Sequence, residues 1–210
     1  MAKSRYRHSE EKLQKMNETR QGILSAAFRE FSEQGYENAS MFEIAKSAKT
    51  AKGTLYNYFD SKQNLYAEIA WEIMQELEKS VITKLEESDT GLVRVKRIGR
   101  ELYRFFRTNK FYYQVFSFLN TKILEIIGED LRFARDPVAE ITVASIELGK
   151  KDGSISCDVH PVMFLAFASS TIWGMLMYMH ERGDAVIAKT GLSEDEMVEY
   201  CFTGIEKALL

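Results

Sequence analysis

Residues 20–65 read RQGILSAAFREFSEQGYENASMFEIAKSAKTAKGTLYNYFDSKQNL. The order of apolar residues, caps and glycines in this stretch sets the fold expected of the chain. Leu24, Ala27, Phe28 and Phe31 stand at i, i+3, i+4 and i+7, which is one apolar stripe on a helix. That helix is expected over 9–34, after a basic arm at 1–8 carrying Lys3, Arg5 and Arg7, and Gly35 stops it. Ser40-Met41-Phe42-Glu43 is a capping box: the Ser hydroxyl accepts from the N3 amide and Glu43 reaches back. It opens a short helix over 41–47, with Phe42, Ile44 and Ala45 as its apolar residues. A break at 48–50 precedes a second short helix over 51–58, with Leu55 facing inward. Asp60 or Ser61 caps the helix that follows. Two short helices joined by a tight turn and packed on a longer one make a helix-turn-helix, whose second short helix enters the DNA major groove.

The residues of that second helix suit the task. Lys52 can meet a phosphate or a guanine edge, and Gly53 allows close backbone approach. Thr54 offers a hydroxyl and a methyl, useful against phosphate or thymine. Tyr56 and Tyr58 are rigid donors for phosphate, with Asn57 between them. Lys62 adds charge beside the exposed amides at the start of the next helix.

This stretch resembles the DNA-binding domain of the tetracycline-repressor (TetR) family. The matching residues are Ile23-Leu24, Ala26-Ala27, Phe31, Gly35-Tyr36, Ile44-Ala45, Lys52-Gly53-Thr54-Leu55-Tyr56, Tyr58-Phe59, Ser61-Lys62 and Leu65, in order and without gaps. The resemblance implies a homodimer whose recognition helices enter successive major grooves of double-stranded DNA. It implies base and phosphate contacts from Lys52, Gly53, Thr54 and Tyr56, backbone contacts from Tyr58 and Lys62, and a phosphate contact at Ser40. The chain departs from the family at Lys49-Thr50-Ala51, where the family usually has Gly and then a branched apolar residue. A positive φ at Lys49 costs roughly 1 kcal/mol. With Ala51 in place, Thr50 is the expected cap of the recognition helix.

The charge is divided along the chain. The net charge is −3, yet residues 1–65 hold 11 Lys/Arg against 8 Asp/Glu, and the remainder holds 17 against 23. A basic module on an acidic body follows. Hydrophobic residues make up 45% of the chain, enough for a core. Only 2 Pro and 12 Gly among 210 residues favour long helices over short strands. Cys157 and Cys201 form no CxxC, so they read as reduced, buried thiols. Cys157 and His160 have a spacing metals use but no second pair of ligands, so no metal or cofactor is expected. No nucleophile motif, paired carboxylates or phosphate loop argues for an enzyme. The N-terminus carries no apolar run behind its basic residues, which points to a cytoplasmic protein.

Beyond residue 65 the reading is of helices. Leu65, Ile69, Ile73, Leu77, Val81 and Leu85 recur every four residues, so a bridging helix is expected to reach residue 87. Others are expected over 92–108, 111–118, 121–150 (with a break at Asp136-Pro137), 161–178, and from a second capping box, Ser193 with Glu196, to 209. A turn is expected over 151–154. The fold class is all-α: an N-terminal three-helix DNA-binding domain over 1–60, joined to a helical-bundle ligand-binding and dimerisation domain over 61–210. The aromatic and Met-rich stretches nominate Phe106, Tyr112, Tyr113, Phe116, Trp173 and Met177 as contacts for a small apolar or aromatic effector. The uncharged run 161–179 is long enough for a membrane span. Its Ser169-Ser170-Thr171 interruption and scarce flanking cations favour burial against a partner helix instead, so no membrane is expected. Ala166, Ser170 and Gly174, with Val198, Cys201 and Ile205 on the last helix, form the expected dimer interface. The expected function is repression from a near-palindromic operator with release by the effector. The alternative is a DNA-bound regulator whose body recruits a protein partner without a small ligand.

Overall fold

In the computed structural model the described residues are 2–115 and 136–210, with side chains described from Glu10 onward. The described secondary structure is helical: α1 (Ala2–Asn38), α2 (Met41–Ser47), α3 (Lys52–Tyr58), α4 (Lys62–Ile82), α5 (Gly91–Thr108), α6 (Pro137–Asp152), α7 (Pro161–Thr190) and α8 (Glu194–Lys207), with a further helical stretch at 110–115. The chain divides inside α4. One compact unit contains the chain up to Ile73; the other contains Met74–Tyr113 and the described residues of 134–210.

The core of the first unit follows from the stripe on α1. Ile23, Leu24, Ala27 and Phe31 are buried, together with Ile44 and Ala45 of α2, Leu55 of α3, Phe59, and Leu65 and Ile69 of α4. Each large side chain so buried contributes about 1.5–3 kcal/mol. Tyr66 packs edge-on against Phe31 (5.0 Å) and Tyr36 (4.9 Å), and burial raises its pKa above the ordinary tyrosine value. Arg20 pairs with Glu68 and Glu72 of α4 and lies over the Phe59 ring, holding α1 to the start of α4.

Several local expectations are corrected. Residues 2–8 are helical and continue into α1, so the N-terminus is not an extended arm. Gly35 does break the helix, at φ 72° and ψ 167°, a region essentially reserved for glycine, but Tyr36–Asn38 add a further helical turn. Ser40 caps α2 by accepting from the Phe42 amide at 3.2 Å, yet its box is not reciprocal. Glu30 of α1 accepts from the Ser40 amide, and Glu43 pairs with Lys46. Phe42 points outward and is exposed, because Met41, Ile44 and Ala45 take the inward side of so short a helix.

The turn after α2 closes as a Schellman motif. The Thr50 amide donates to the Ala45 carbonyl (3.0 Å) and the Lys49 amide to the Lys46 carbonyl (3.1 Å). This requires a left-handed residue, and Lys49 adopts it at φ 54°. The strain expected from the sequence is therefore present. The N-cap of α3 is Ala51, not Thr50, and it supplies no side-chain hydrogen bond. Lys49→Gly is expected to raise stability by up to about 1 kcal/mol. For a chain of this size that is a rise of roughly 2–4 °C in Tm by differential scanning calorimetry, and an unchanged or lower Tm would show that the strain is relieved elsewhere.

Ser61 caps α4 by accepting from the Asn64 amide. The helix ends at Ile82, short of residue 87. Val81-Ile82-Thr83 are three β-branched residues in a row, and Glu86, Glu87 and Asp89 would place negative charge at the negative end of the dipole. Asp136 is the N-cap of α6, which starts at Pro137; what precedes it lies outside the described residues. The expected helices over 111–118 and 121–150 lie partly outside the described residues. The 151–154 turn begins later than expected, since α6 runs to Asp152 before Gly153. α7 continues twelve residues beyond 178, to Thr190, with Gly191 as its left-handed C-cap, and α8 ends at Lys207. The reciprocal capping box of Ser193 and Glu196 is formed.

The core of the second unit combines Val95, Ile98, Phe105 and Phe106 of α5, Val138 and Ile146 of α6, Phe164, Ile172 and Leu176 of α7, and Val198, Phe202 and Ile205 of α8. Along one seam the cations of α5 face the carboxylates of α8: Lys96 with Glu206, Arg100 with Glu199, Arg107 with Glu194. Cys157 is exposed and Cys201 half-buried, so the pair is not the buried pair expected; both are free thiols.

Candidate nucleic-acid interface and ligand cavity

α3 is anchored by its own inward face. Leu55 and the following Phe59 are buried, which turns Lys52, Gly53, Tyr56 and Asn57 to the exposed side, with Thr54 and Tyr58 half-buried at the edges. Lys52 Nζ lies 5.8 Å from the Tyr56 ring centroid, so the cation and the ring occupy one patch. A Cβ built on Gly53 meets nothing within 4 Å. Packing within the protein therefore gives no reason for glycine here, whereas close approach of another backbone would.

Ser40 is half-buried at the start of α2, its hydroxyl engaged by the Phe42 amide. Lys62 differs from its expected role. Its ammonium donates to the carbonyls of Glu37 (3.1 Å) and Ala39 (3.2 Å) and lies 4.7 Å from the Tyr36 ring centroid. It ties α4 to the end of α1 and so positions the entry to α2. The sequence reading missed this role, as it missed exposed Phe42, because both depend on which carbonyls and apolar side chains the tertiary fold brings near.

The second unit holds a cavity of about 260 Å³ lined by Phe106, Tyr113, Leu176, Met179 and Ile187 on its apolar side, and by Arg107, Lys110, His180, Asp184 and Glu194 on its polar side. Two of the nominated aromatic contacts, Phe106 and Tyr113, belong to this wall. Trp173 stands against both of them, 5.6 Å from Phe106 and 5.1 Å from Tyr113. Tyr112 is directed elsewhere: its ring packs on Phe105 and its hydroxyl donates to Glu76 at 2.7 Å. Burial, then that bond to the carboxylate, push its pKa up to about 12. Met177 is exposed on α7, and Phe116 lies outside the described residues. Hydrogen bonding from Arg107 holds the Glu194 carboxyl below its ordinary range. A second, smaller void of about 40 Å³ lies among Val95, Ile98, Phe164, Ala168, Ile172 and Phe202.

The outward side of α7 is largely apolar over 162–178, and on α8 Tyr200 stands out among charged neighbours. Met163 (72% exposed), Phe167, Tyr178 and Tyr200 (82% exposed) stand in solvent. A groove of about 700 Å³ between these helices is lined by Gly174, Tyr178, Leu192, Met197, Tyr200 and Cys201 among others. Ala166 and Ser170 are exposed on the same helix. Val198 and Ile205 are corrected: both are buried in the core of their own unit, because the inward stripe of α8 runs Val198, Phe202, Ile205. α7 is long and apolar enough to cross a membrane, and 28% of its most apolar window is buried. Among the described residues no group of three or more His, Cys, Asp or Glu could hold a metal ion.

Residues 23–69 match the sequence family described as bacterial regulatory proteins, tetR family. The chain is 45% identical over 62 residues to the HTH-type transcriptional regulator AcrR of Shigella flexneri, a match covering 30% of this chain and 28% of AcrR. It is 28% identical over 145 residues to the HTH-type transcriptional regulator YhgD of Bacillus subtilis, covering 68% of this chain and 75% of YhgD. The matched segment thus spans under a third of AcrR and three quarters of YhgD. Among solved structures, the fold is similar to that of FadR from Bacillus subtilis in complex with stearoyl-CoA, with a TM-score of 0.69 at 17% identity over 90% of this chain and 99% of that one. It is equally similar to a TetR family transcription regulator from Marinobacter aquaeolei, with a TM-score of 0.69 at 17% identity over 93% and 97%.

Proposed function

We propose that this chain, whose residues 23–69 match the tetR family of bacterial regulatory proteins, acts in the cytoplasm as a DNA-binding transcription regulator, a homodimeric repressor released from a near-palindromic operator by a small effector. The observation that carries the DNA-binding part is the exposed patch of Lys52, Gly53, Tyr56 and Asn57 on a helix held by buried Leu55 and Phe59. In this reading Lys52, Gly53, Thr54 and Tyr56 contact bases and phosphates. Asn57, Tyr58 and the Ser40 end of α2 hold the backbone, and Lys62 acts by positioning that end. The DNA-binding domain is taken as 1–60 and the effector and dimer domain as 61–210.

The dimer is assigned to the outward sides of α7 and α8, with Ala166, Ser170, Gly174 and Cys201 in the contact. Contiguous exposed apolar area of this kind marks a partner surface. A near-palindromic operator repeats its half-site one turn of DNA on, ~34–36 Å away, which is the spacing a dimer must present to read it. The effector is assigned to the cavity beside Phe106 and Tyr113, with Trp173 as its support. The bound stearoyl-CoA of FadR is consistent with an effector that carries an apolar body. Release follows if the effector binds one conformation preferentially, and α4, continuous across the division at Ile73, is the segment through which the change reaches the DNA-binding domain.

The test is selection of bound duplexes from a random pool by the parent chain, Tyr56→Ala and Gly53→Ala. The parent is expected to enrich a near-palindrome and Tyr56→Ala to enrich nothing. Gly53→Ala is expected to raise the stability of α3 by about 0.5–1 kcal/mol while weakening DNA binding at least tenfold. No enrichment by the parent, or full binding by Gly53→Ala, would remove the assigned contact surface.

A further inference from the structure

We propose that the 260 Å³ cavity beside Tyr113 takes a small amphipathic anion, a carboxylate on an aromatic or short aliphatic body, and that this anion competes with Glu194 for Arg107. The inference rests on the reading of the chain as an effector-responsive regulator and names the chemistry of the effector. The volume lies just below the roughly 300–1,000 Å³ of sites for drug-sized ligands, so the ligand is small.

The apolar side is rigid. Tyr113 is buried, and its ring lies 5.1 Å from Trp173 and 5.3 Å from His180. Phe106 is set edge-on to the same indole. These rings accept a flat or short-chain body.

The polar side is unevenly satisfied. Glu194 is the acceptor already occupied: Oε1 accepts from the Tyr103 hydroxyl at 2.7 Å and from Arg107 Nε, and Oε2 accepts from Arg107 Nη2. Donors remain. Arg107 Nη1 is not used by that pairing, and Lys110 Nζ meets no acceptor among the described residues. The other carboxylate on the rim, Asp184 of α7, is exposed, as are Arg107 and Lys110, so the rim balances two cations against two carboxylates, of which Glu194 is already engaged. A ligand carboxylate would gain charge-assisted hydrogen bonds, about twice as strong as neutral ones, from a guanidinium that presents five donors in a fixed fork. A neutral amide offers one carbonyl acceptor and no ion–ion attraction, so it gains less from the same donors, and a cation meets Arg107 and Lys110.

The competition has a consequence for the dimer surface. Glu194 is the first residue of α8, and Arg107 and the Tyr103 hydroxyl together join that end to α5. An anion on Arg107 weakens the join and loosens the first turn of the helix that carries Tyr200.

The test is isothermal titration calorimetry on the full-length chain with 3-phenylpropanoate and hexanoate, their amides, and 3-phenylpropylamine. The carboxylates are expected to bind at least tenfold more tightly than the amides and the amine. Arg107→Gln and Lys110→Gln are each expected to abolish that preference while leaving amide affinity within threefold. Glu194→Gln removes the competing anion and is expected to tighten carboxylate binding severalfold, an opposite change that a merely structural role would not give. Equal affinity for carboxylate and amide, tighter binding of the amine, or no heat from either carboxylate would overturn the proposal. Operator release is measured separately. Carboxylate binding with these variant effects but without release supports the site and counts against the release mechanism alone.

Discussion

Gly91→Ala is expected to destabilise the protein by about 3 kcal/mol or more, lowering Tm by roughly 6–12 °C. A Cβ at position 91 would stand 2.0 Å from the Gly149 backbone nitrogen, 2.2 Å from its Cα and 2.4 Å from the Ser145 carbonyl oxygen. These are backbone atoms, so no rotamer change removes the overlap. The start of α5 would have to move away from α6. That movement would break the cap that the close approach permits, in which Asp152 accepts from the Gly91 amide (2.8 Å) and Ser154 from the Leu92 amide (3.1 Å). Gly149 cannot give way in the other direction, because the Ile155 side chain lies 2.5 Å from its own missing Cβ position. Gly22→Ala on α1 is the control: nothing stands within 4 Å of its Cβ position, so the exchange is expected to stabilise by about 0.5–1 kcal/mol. Calorimetry showing Gly91→Ala as stable as its parent would mean that the α5–α6 contact is not formed as described.

The second large effect is expected from Gly174→Arg. Position 174 faces the groove between α7 and α8, and a Cβ there meets nothing within 4 Å, so the protomer has room for a side chain. A dimer built on that surface has no such room. Two-fold symmetry would bury one unpaired guanidinium per subunit in an apolar contact. A cost on the order of 4 kcal/mol corresponds to about a thousandfold in the dimer dissociation constant. Light scattering is expected to report a monomer with unchanged circular dichroism, and operator affinity is expected to fall with the loss of the second half-site. A variant that remains dimeric would exclude this surface as the interface and return the outward sides of α7 and α8 to another partner.

Much of the N-terminal unit is legible in its sequence. The α1 stripe, the break at Gly35, the Ser40 and Ser61 caps, the positive φ at Lys49 and the reciprocal box at Ser193 all depend on residues within four positions of one another, and the backbone geometry they require is fixed by sterics and local hydrogen bonding. The exposed side of α3 was legible for the same reason, since only Leu55 is apolar enough to turn inward on so short a helix. Helix lengths were less legible. α4 stops at Ile82 although its four-residue repeat runs on to Leu85, and α7 continues past 178 through charged residues, because periodicity records which face is apolar and not where packing ends.

What the chain order could not contain is the choice among long-range partners. Glu30, not Glu43, meets the Ser40 amide, and Lys62 is committed to the carbonyls of Glu37 and Ala39, because folding brings α1 and α4 beside that loop. The inward turn of Val198 and Ile205, and with it the outward turn of Tyr200, is set by where α5 and α7 leave space for Phe202. The pairing of Arg107 with Glu194, 87 residues apart, gives the cavity its polar side, and no local pattern encodes it. Short-range sterics and hydrogen bonding are written in neighbouring residues. The identity of a distant partner is decided only when apolar burial closes the chain on itself.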